Sequence, residues 1–320
     1  MDKMAPKISV VIPLYNKELH ITRAINSVLC QTCQDFEIIV INDGSTDKSA
    51  DIVRSFEDSR IRLINQKNRG VSFTRNQGVK CAQSNFIAFL DADDEWMPRH
   101  LETLLRLNKR FPNAGIYVTT YKICLKSGRI INANYRAIPK PPFEGLLPNY
   151  FKSAALGDPP VCSSVVEIPK EVFFEIGGFQ VGEGMGEDLD FWAKIALNFP
   201  VAFSSEIGAI YHTDASNRAC EFYQLISEEP LVKNGKKMIA DGIVPKNVLP
   251  FFKEYIARKE IEIANRNIYG DNRLLAQKIL TKIDTKYFWK EKLFWMIMLK
   301  LPKRIFEFII RIKRLLVKCE

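Results

Sequence analysis

The run from Ile8 to Leu14 is apolar and β-branched, and beyond it the period changes: Ile21, Ile25, Val28 and Leu29 recur at helical spacing. Asn16 stands where a side chain can cap that helix. The unit then repeats. Phe36 to Ile41 reads as a second strand, and a helix opening at Ser45 or Thr46 carries Ala50, Ile52, Val53 and Phe56. Ile61 to Ile64 is a third strand, Val71 to Ala82 a helix and Phe86 to Leu90 a fourth strand, after which Pro98 opens a helix through Arg110. Strands apolar throughout, alternating with amphipathic helices, predict an α/β fold whose parallel sheet is covered on both faces through right-handed crossovers. Residues 126–160, rich in Pro and Gly, read as hairpin and loop, and beyond about Ser216 only helical patterns remain.

Such sheets bind ligands at the carboxyl ends of their strands. Asn42-Asp43-Gly44 and Asp91-Ala92-Asp93 both follow predicted strands, so the two carboxylate clusters should share one crevice. In Asp91-Ala92-Asp93-Asp94 the acids repel one another and need a positive partner. Hard oxygen ligands there suit Mg²⁺ or Mn²⁺ bridging a diphosphate; the plainer alternative is a solvated turn ahead of the Pro98 helix. Further on, Gly182, Gly184 and Gly186 lead into a helix beginning near Glu187, which puts Asp188 in a first turn where the helix dipole stabilises carboxylates. Asp188 is the candidate general base, against ordinary N-terminal helix chemistry. His212 ends the apolar run from Ile207, and His20 and His100 read as helix-surface residues. Pro13-Leu14-Tyr15-Asn16 stands where a dinucleotide oxidoreductase needs a glycine-rich turn, and no Gly-x-x-x-x-Gly-Lys-Ser/Thr occurs.

Composition narrows the classes. With 320 residues, 47% hydrophobic and 26% charged, the chain is globular. Its longest apolar run, Leu293 to Leu299, is far short of the ~20 residues a membrane-spanning helix needs. The polar start carries no export pattern, so a cytoplasmic location and reduced thiols are expected for the seven scattered cysteines. Cys30-Gln31-Thr32-Cys33 has redox spacing but falls late in a predicted helix, where a thiolate gains nothing from the dipole.

The net charge of +9 is concentrated in residues 286–320, where ten lysines and arginines face three glutamates. There Ile305, Phe308, Ile309, Ile312, Leu315 and Leu316 recur on one helical face, while Lys303, Arg304, Arg311, Arg314 and Lys318 fall outside it. An apolar stripe bordered by cations is the pattern of a helix lying in an anionic membrane surface, with Trp289, Phe294 and Trp295 as interfacial aromatics. Packing on protein is the alternative. Nucleic acid is excluded, because apolar residues hold the face that phosphates would need.

Five blocks occur in order: Val10-Val11-Ile12-Pro13-Leu14-Tyr15-Asn16, Asn42-Asp43-Gly44-Ser45-Thr46-Asp47, Asn68-Arg69-Gly70-Val71-Ser72-Phe73-Thr74-Arg75-Asn76-Gln77-Gly78, Leu90-Asp91-Ala92-Asp93-Asp94 and Gly186-Glu187-Asp188-Leu189-Asp190-Phe191-Trp192. Together, over roughly residues 6–215, they closely resemble the inverting glycosyltransferases of the GT-A fold often called family 2. The resemblance implies a GT-A, Rossmann-like, mostly parallel sheet over residues 1–215, divided into a nucleotide-sugar part (6–125) and an acceptor part (126–215), with a helical C-terminal region (216–320). It places Pro13, Tyr15 and Asn16 along the nucleotide and gives Asp43 the base edge, usually uracil. Asn68 to Gly70 would wall the donor pocket, and Arg75 would reach the base or diphosphate. Asp91, with Ala92, would hold the ribose, Asp93 the Mn²⁺ or Mg²⁺ ion, and Asp188 the acceptor proton.

Asn42 departs from a common aspartate and Thr74 from a usual alanine. Tyr211-His212 interrupts a longer motif in which some relatives place a histidine at the metal or diphosphate, so the resemblance makes His212 a candidate metal ligand, against a satisfied histidine at a strand end. No tryptophan follows an arginine, so the motif of processive synthases is missing and transfer of a single sugar is expected. The implied partners are a nucleotide sugar, most commonly a UDP-sugar, and a bacterial glycan or lipid-linked acceptor. The competing reading is a catalytically silent fold of this type serving as a membrane-surface binding module.

Overall fold

In the computed structural model, which describes residues 5–183, 185–215, 227–302, 305–306 and 308–309, the chain divides into two units, residues 1–221 and 222–320. The first is built on a ten-stranded sheet. Its parallel half is the one expected: β1 (Ile8–Leu14) lies between β2 (Phe36–Asp43) and β4 (Phe86–Phe89), with β3 (Ile61–Gln66) outside β2. The apolar residues of β1 and β2 are buried except Pro13, because α1 (Ile21–Leu29), α2 (Ser49–Arg54) and α3 (Val71–Cys81) bring the chain back over the sheet after each strand. Gly78 lets α3 lie against β1: a Cβ there would stand 2.3 Å from Val11 Cγ1.

The other half is mixed rather than parallel. β9 (Val166–Pro169) inserts antiparallel between β4 and β6 (Ile116–Cys124). β10 (Val201–His212) then runs parallel to β6 and carries the short strands β5 (Glu95–Trp96) and β8 (Glu144–Leu146) antiparallel. Residues 126–160 hold more order than hairpin and loop: besides β7 (Ile130–Asn132) on β6 and β8, they contain α5 (Tyr150–Leu156), capped by Asn149, whose Oδ1 accepts from the Lys152 N–H at 2.9 Å.

Several sequence expectations are corrected. Asn16 does not cap α1, which starts five residues later; Asn16 has φ +50° and its Oδ1 accepts from the Thr46 N–H at 2.8 Å. The second helix begins at Ser49, not at Ser45 or Thr46, because Asp47 Oδ1 takes the Ser49 N–H. Cys30 lies just past the end of α1. Pro98 precedes α4 (His100–Arg110) by two residues, and His100 is a core residue only 1% exposed. Its Nδ1 lies 3.1 Å from Thr119 Oγ1, and burial lowers its pKa to about 3. Glu167, at the centre of β9, is fully buried; desolvation pushes its carboxyl up to about 8, with Asn108 Nδ2 donating to it at 3.3 Å.

The second unit contains α8 (Pro230–Ala240), α9 (Leu249–Tyr269), α10 (Arg273–Lys282) and α11 (Trp289–Lys300). Ile268, Leu280, Trp295, Met298 and Phe306 share its core. Trp295 is therefore not an interfacial aromatic, being 1% exposed, whereas Trp289, Leu293 and Ile297 are about half exposed on another face of α11. Of the basic tail, Lys303, Arg304, Arg311, Ile312, Arg314, Leu315, Leu316 and Lys318 lie outside the described residues. Among those described, no helix is long and apolar enough to cross a membrane.

Candidate active site

The loops that follow β1 and β2 are braided together. The Asn16 N–H donates to Ser45 Oγ at 3.0 Å, the Lys17 N–H to Ser49 Oγ at 2.7 Å and the Glu18 N–H to Asp47 Oδ2 at 3.0 Å. In return the Lys48 N–H donates to Glu18 Oε2 at 2.9 Å. Ser, Asn and Asp side chains satisfy backbone groups that a sheet or helix would otherwise pair. Between the loops an open hollow of ≈ 270 Å³ is lined by Asn16, Lys17, Glu18, Leu19, His20, Thr46 and Asp47. Tyr15 stands exposed and Pro13 half-buried at the end of β1.

Asp43 is 3% exposed at the end of β2, and its carboxylate is committed to the next loop. Oδ1 accepts from Gln66 Nε2 at 2.7 Å and the Arg69 N–H at 2.9 Å, and Oδ2 from the Gly70 N–H at 2.9 Å. Gly44 permits this closeness, with φ +74° and a Cβ position only 2.9 Å from the Asn68 nitrogen. Asp43 thus fixes the Asn68–Gly70 segment, the expected wall of the donor pocket. Thr74 closes the network: its hydroxyl donates to the Gly70 carbonyl at 2.8 Å and accepts from Gln66 Nε2 at 3.1 Å.

The acidic turn divides its labour. Asp94 is fully buried, its carboxylate accepting from the His212 N–H at 2.8 Å and from the Ser164 hydroxyl. Burial first, then the charges of Asp93 and Asp91, raises its pKa well above the ordinary carboxylate range. Ser164 Oγ in turn accepts the Asp91 N–H at 3.1 Å. Ala92 is buried, while Asp91 and Asp93 are half-buried toward the crevice. Asp93 Oδ2 lies 2.8 Å from Lys17 Nζ, and Arg23 Nη2 donates to the Asp93 carbonyl.

Arg75 joins this turn to the start of α7 (Glu187–Asn198). Buried at 4% exposure, it donates from Nη2 to Asp91 Oδ1 at 2.8 Å and from Nη1 to Glu187 Oε1 at 2.9 Å. Burial works against its charge, but Asp91, Glu187 and Asp188 more than offset that and hold its pKa above the ordinary value. Arg75 Nε has no hydrogen-bond partner among the described residues. Glu187 is pushed up to about 7 by burial and by the neighbouring Asp188 charge, against the pull of Arg75. Of the other acids in this turn, Asp190 pairs with Lys194 at 2.7 Å, and Asp188 is half-buried with Oδ1 accepting the Leu189 N–H at 2.8 Å.

His212 belongs with Cys124 and Asp214 to a cluster whose possible metal-ligating atoms lie within 4.8 Å of one another. Its Nδ1 lies 3.0 Å from Asp214 Oδ1 and its Nε2 3.0 Å from Glu95 Oε1, so each ring nitrogen already has a carboxylate. Asp93 and Asp91, by contrast, are hard oxygen donors at a strand end, and their present counter-charges are side chains, Lys17 and Arg75. Such a donor set fits Mn²⁺ or Mg²⁺, provided Lys17 gives way.

Residues 9–160 match the family model described as glycosyl transferase family 2. Over this segment, just under half of its length, the chain is similar to glycosyl transferase family 2. It is 45% identical over 93 residues to the uncharacterized glycosyltransferase EpsJ of Bacillus subtilis (strain 168), a stretch covering 28% of this chain and 27% of that protein. An uncharacterized glycosyltransferase of Rickettsia felis is 33% identical over 193 residues, 59% of this chain and 30% of that protein. The matches thus span less than a third of either relative's own length. Among solved structures, S. aureus TarS 1–349 in complex with UDP-GlcNAc superposes with a TM-score of 0.64 at 17% identity, covering 92% of this chain and 90% of that one. The mannosyltransferase PcManGT from Pyrobaculum calidifontis, in complex with GDP-Man and Mn²⁺, gives 0.59 at 16% identity over 93% and 85%. At these identities the likeness is one of fold, the GT-A fold.

Within residues 9–160 sequence reasoning missed Lys17, Arg23, Gln66 and Glu95, and outside that segment Ser164. Lys17 had one signal, its position next to Asn16 in the first block. Ser164 had none, because nothing in the sequence announces that β9 enters the sheet beside β4.

Proposed function

We propose that this chain is an inverting glycosyltransferase that moves one sugar from a nucleotide sugar, with UDP as the leaving group, to a hydroxyl of a glycan or lipid-linked acceptor. The observation that carries this reading is Arg75, which holds the Asp91 end of the acidic turn and the Glu187 end of α7 on one guanidinium. An inverting displacement needs those two parts together: a place for the departing diphosphate and a carboxylate for the incoming hydroxyl. TarS and PcManGT, solved with UDP-GlcNAc and with GDP-Man, support the donor class.

In the proposed step the acceptor oxygen forms a bond to the anomeric carbon as that carbon's bond to the β-phosphate oxygen breaks. The bonding pair leaves on the diphosphate, and the acceptor proton passes to an Asp188 oxygen. Asp188 is taken as the base because it stands half-buried in the first turn of α7, one residue from the Glu187 that Arg75 ties to the acidic turn. Pro13, Tyr15, Asn16 and the Asn68–Gly70 wall fixed by Asp43 would bind the nucleotide. A Mn²⁺ or Mg²⁺ ion held by Asp93 would supply counter-charge to the diphosphate.

The outward face of α11 extends the reading to the inner surface of the cell membrane. Trp289, Leu293 and Ile297, spaced four residues apart, are exposed, and Lys290 lies 5.5 Å from the Trp289 ring centroid. The test of the activity is release of nucleoside diphosphate and coupling to acceptor with a panel of nucleotide sugars and Mn²⁺. A catalytically silent fold would release none with any donor.

A further inference from the structure

The Asp93 carboxylate that would hold a metal already has a cation on it. Lys17 Nζ and Asp93 Oδ2 stand 2.8 Å apart, with their side chains only 12% and 15% exposed. The lysine is held in place from its own backbone, whose N–H donates to Ser49 Oγ at 2.7 Å. The same stretch of chain brings two further basic side chains to this spot. Arg23 donates to the Asp93 carbonyl, and His20 is close enough to feel the charges of Arg23, Asp93, Lys17 and Asp214. Burial first, then Arg23, holds the His20 pKa below its ordinary value.

A divalent ion and a lysine ammonium on one carboxylate repel each other, and a partly desolvated crevice screens that repulsion less than bulk water does. We propose that Lys17 and a divalent ion compete for the Asp93 carboxylate, and that metal entry transfers Lys17 from Asp93 to the diphosphate of the donor. The lysine stem is long and flexible, and the hollow beside it, lined by Asn16, Lys17, His20, Thr46 and Asp47, gives the ammonium a place to meet an anion. Lys17 is then a positioning residue for the metal and a binding residue for the diphosphate. Only the identity of the anion rests on the glycosyltransferase reading; the competition rests on the ion pair.

The test uses the full chain and two probes, MnCl₂ alone and UDP in excess EDTA. Free Mn²⁺ is read by electron paramagnetic resonance and UDP by calorimetry, for wild type, Lys17→Met, Lys17→Arg and Asp93→Asn. Lys17→Met should bind Mn²⁺ about ten-fold more tightly than wild type or better, because removing the competing cation frees the carboxylate. The same variant should bind UDP in EDTA about ten-fold more weakly. Lys17→Arg should stay near wild type in both. Asp93→Asn, which releases Lys17, should bind UDP in EDTA at least as tightly as wild type while losing Mn²⁺. Equal or weaker Mn²⁺ binding by Lys17→Met, or no Mn²⁺ binding by either protein, overturns the proposal. If Lys17→Met does not fold, Asp93→Asn decides: markedly weaker UDP binding in EDTA overturns it. A failure of the glycosyltransferase reading looks different, with UDP bound by no variant while Mn²⁺ affinity still rises in Lys17→Met.

Discussion

Arg75 Nη1 donates to Glu187 Oε1 at 2.9 Å across 112 residues of sequence. With Asp91 on its other terminal nitrogen, the guanidinium is a buried fork between two carboxylates, a geometry lysine cannot reproduce. Removing one partner of a buried ion pair leaves the others desolvated and unpaired. Arg75→Met should therefore lower the unfolding free energy by about 3 kcal/mol near neutral pH. In a Glu187→Gln background the same change should cost measurably less, because one of the stranded charges is gone. Denaturant unfolding of the four proteins in the cycle tests this, and an Arg75→Met protein as stable as wild type would sink it.

Asp188→Asn should keep nucleotide affinity and fold while turnover drops by roughly two to four decades, the contribution of a positioned general base. Asparagine preserves the shape and removes the basicity. Initial rates of transfer beside calorimetric UDP affinities separate the two effects. Wild-type turnover would take the base role from Asp188 and turn attention to Glu187.

Glu167 gives a pH signature unrelated to the chemistry. Its folded-state pKa is about 8 against an ordinary 4.5, so between those values the folded chain holds a proton that the unfolded chain has released. Stability should fall as pH rises from about 4.5 to about 8, by up to a few kcal/mol. Glu167→Gln, which keeps the donor from Asn108 without the charge, should melt at nearly the wild-type temperature near pH 5 and several degrees higher near pH 8.5. Parallel melting curves at both pH values would show that Glu167 does not titrate this way.

The outward face of α11 makes a surface prediction. Replacing Trp289, Leu293 and Ile297 with serine should leave the helical content intact, since all three are about half exposed. It should also reduce co-sedimentation with anionic vesicles by about ten-fold or more, as the buried apolar area is lost. Equal sedimentation of variant and wild type would rule out that face as the docking surface.

The first four strands and the helices between them were legible because apolar periodicity survives wherever one face of an element must be buried. The sequence blocks located the acidic turn and the Asp188 helix because each of these places polar groups directly after an apolar strand or a glycine-rich approach. Asn16 escaped that logic. Its φ of +50° and its bond to Thr46 belong to a loop contact rather than to a cap, and residue type alone does not distinguish the two. His100 was misread because a polar residue at the start of an amphipathic helix is ordinarily solvated. Here Gly208 on β10 lacks the Cβ that would clash with Thr119 Oγ1 and His100 Nδ1, and the ring packs inward. β9 was illegible as a sheet member, since antiparallel insertion between two strands depends on distant partners and leaves no local pattern.

Ser164 connects the acidic turn to the order in which the protein is made. The turn's backbone at Asp91 and its buried Asp94 carboxylate are both satisfied by the Ser164 hydroxyl, some seventy residues downstream, and Asp94 also takes the N–H of His212, 118 residues away. A chain emerging from the ribosome therefore presents β1 to β4 long before it can finish the turn at their edge. Lys17, Arg23 and Arg75 are made in time to meet Asp93 and Asp91, but until residue 212 has been synthesised the Asp94 carboxylate and the Asp91 N–H lack their partners, and the turn is complete only when the second half of the sheet closes on it.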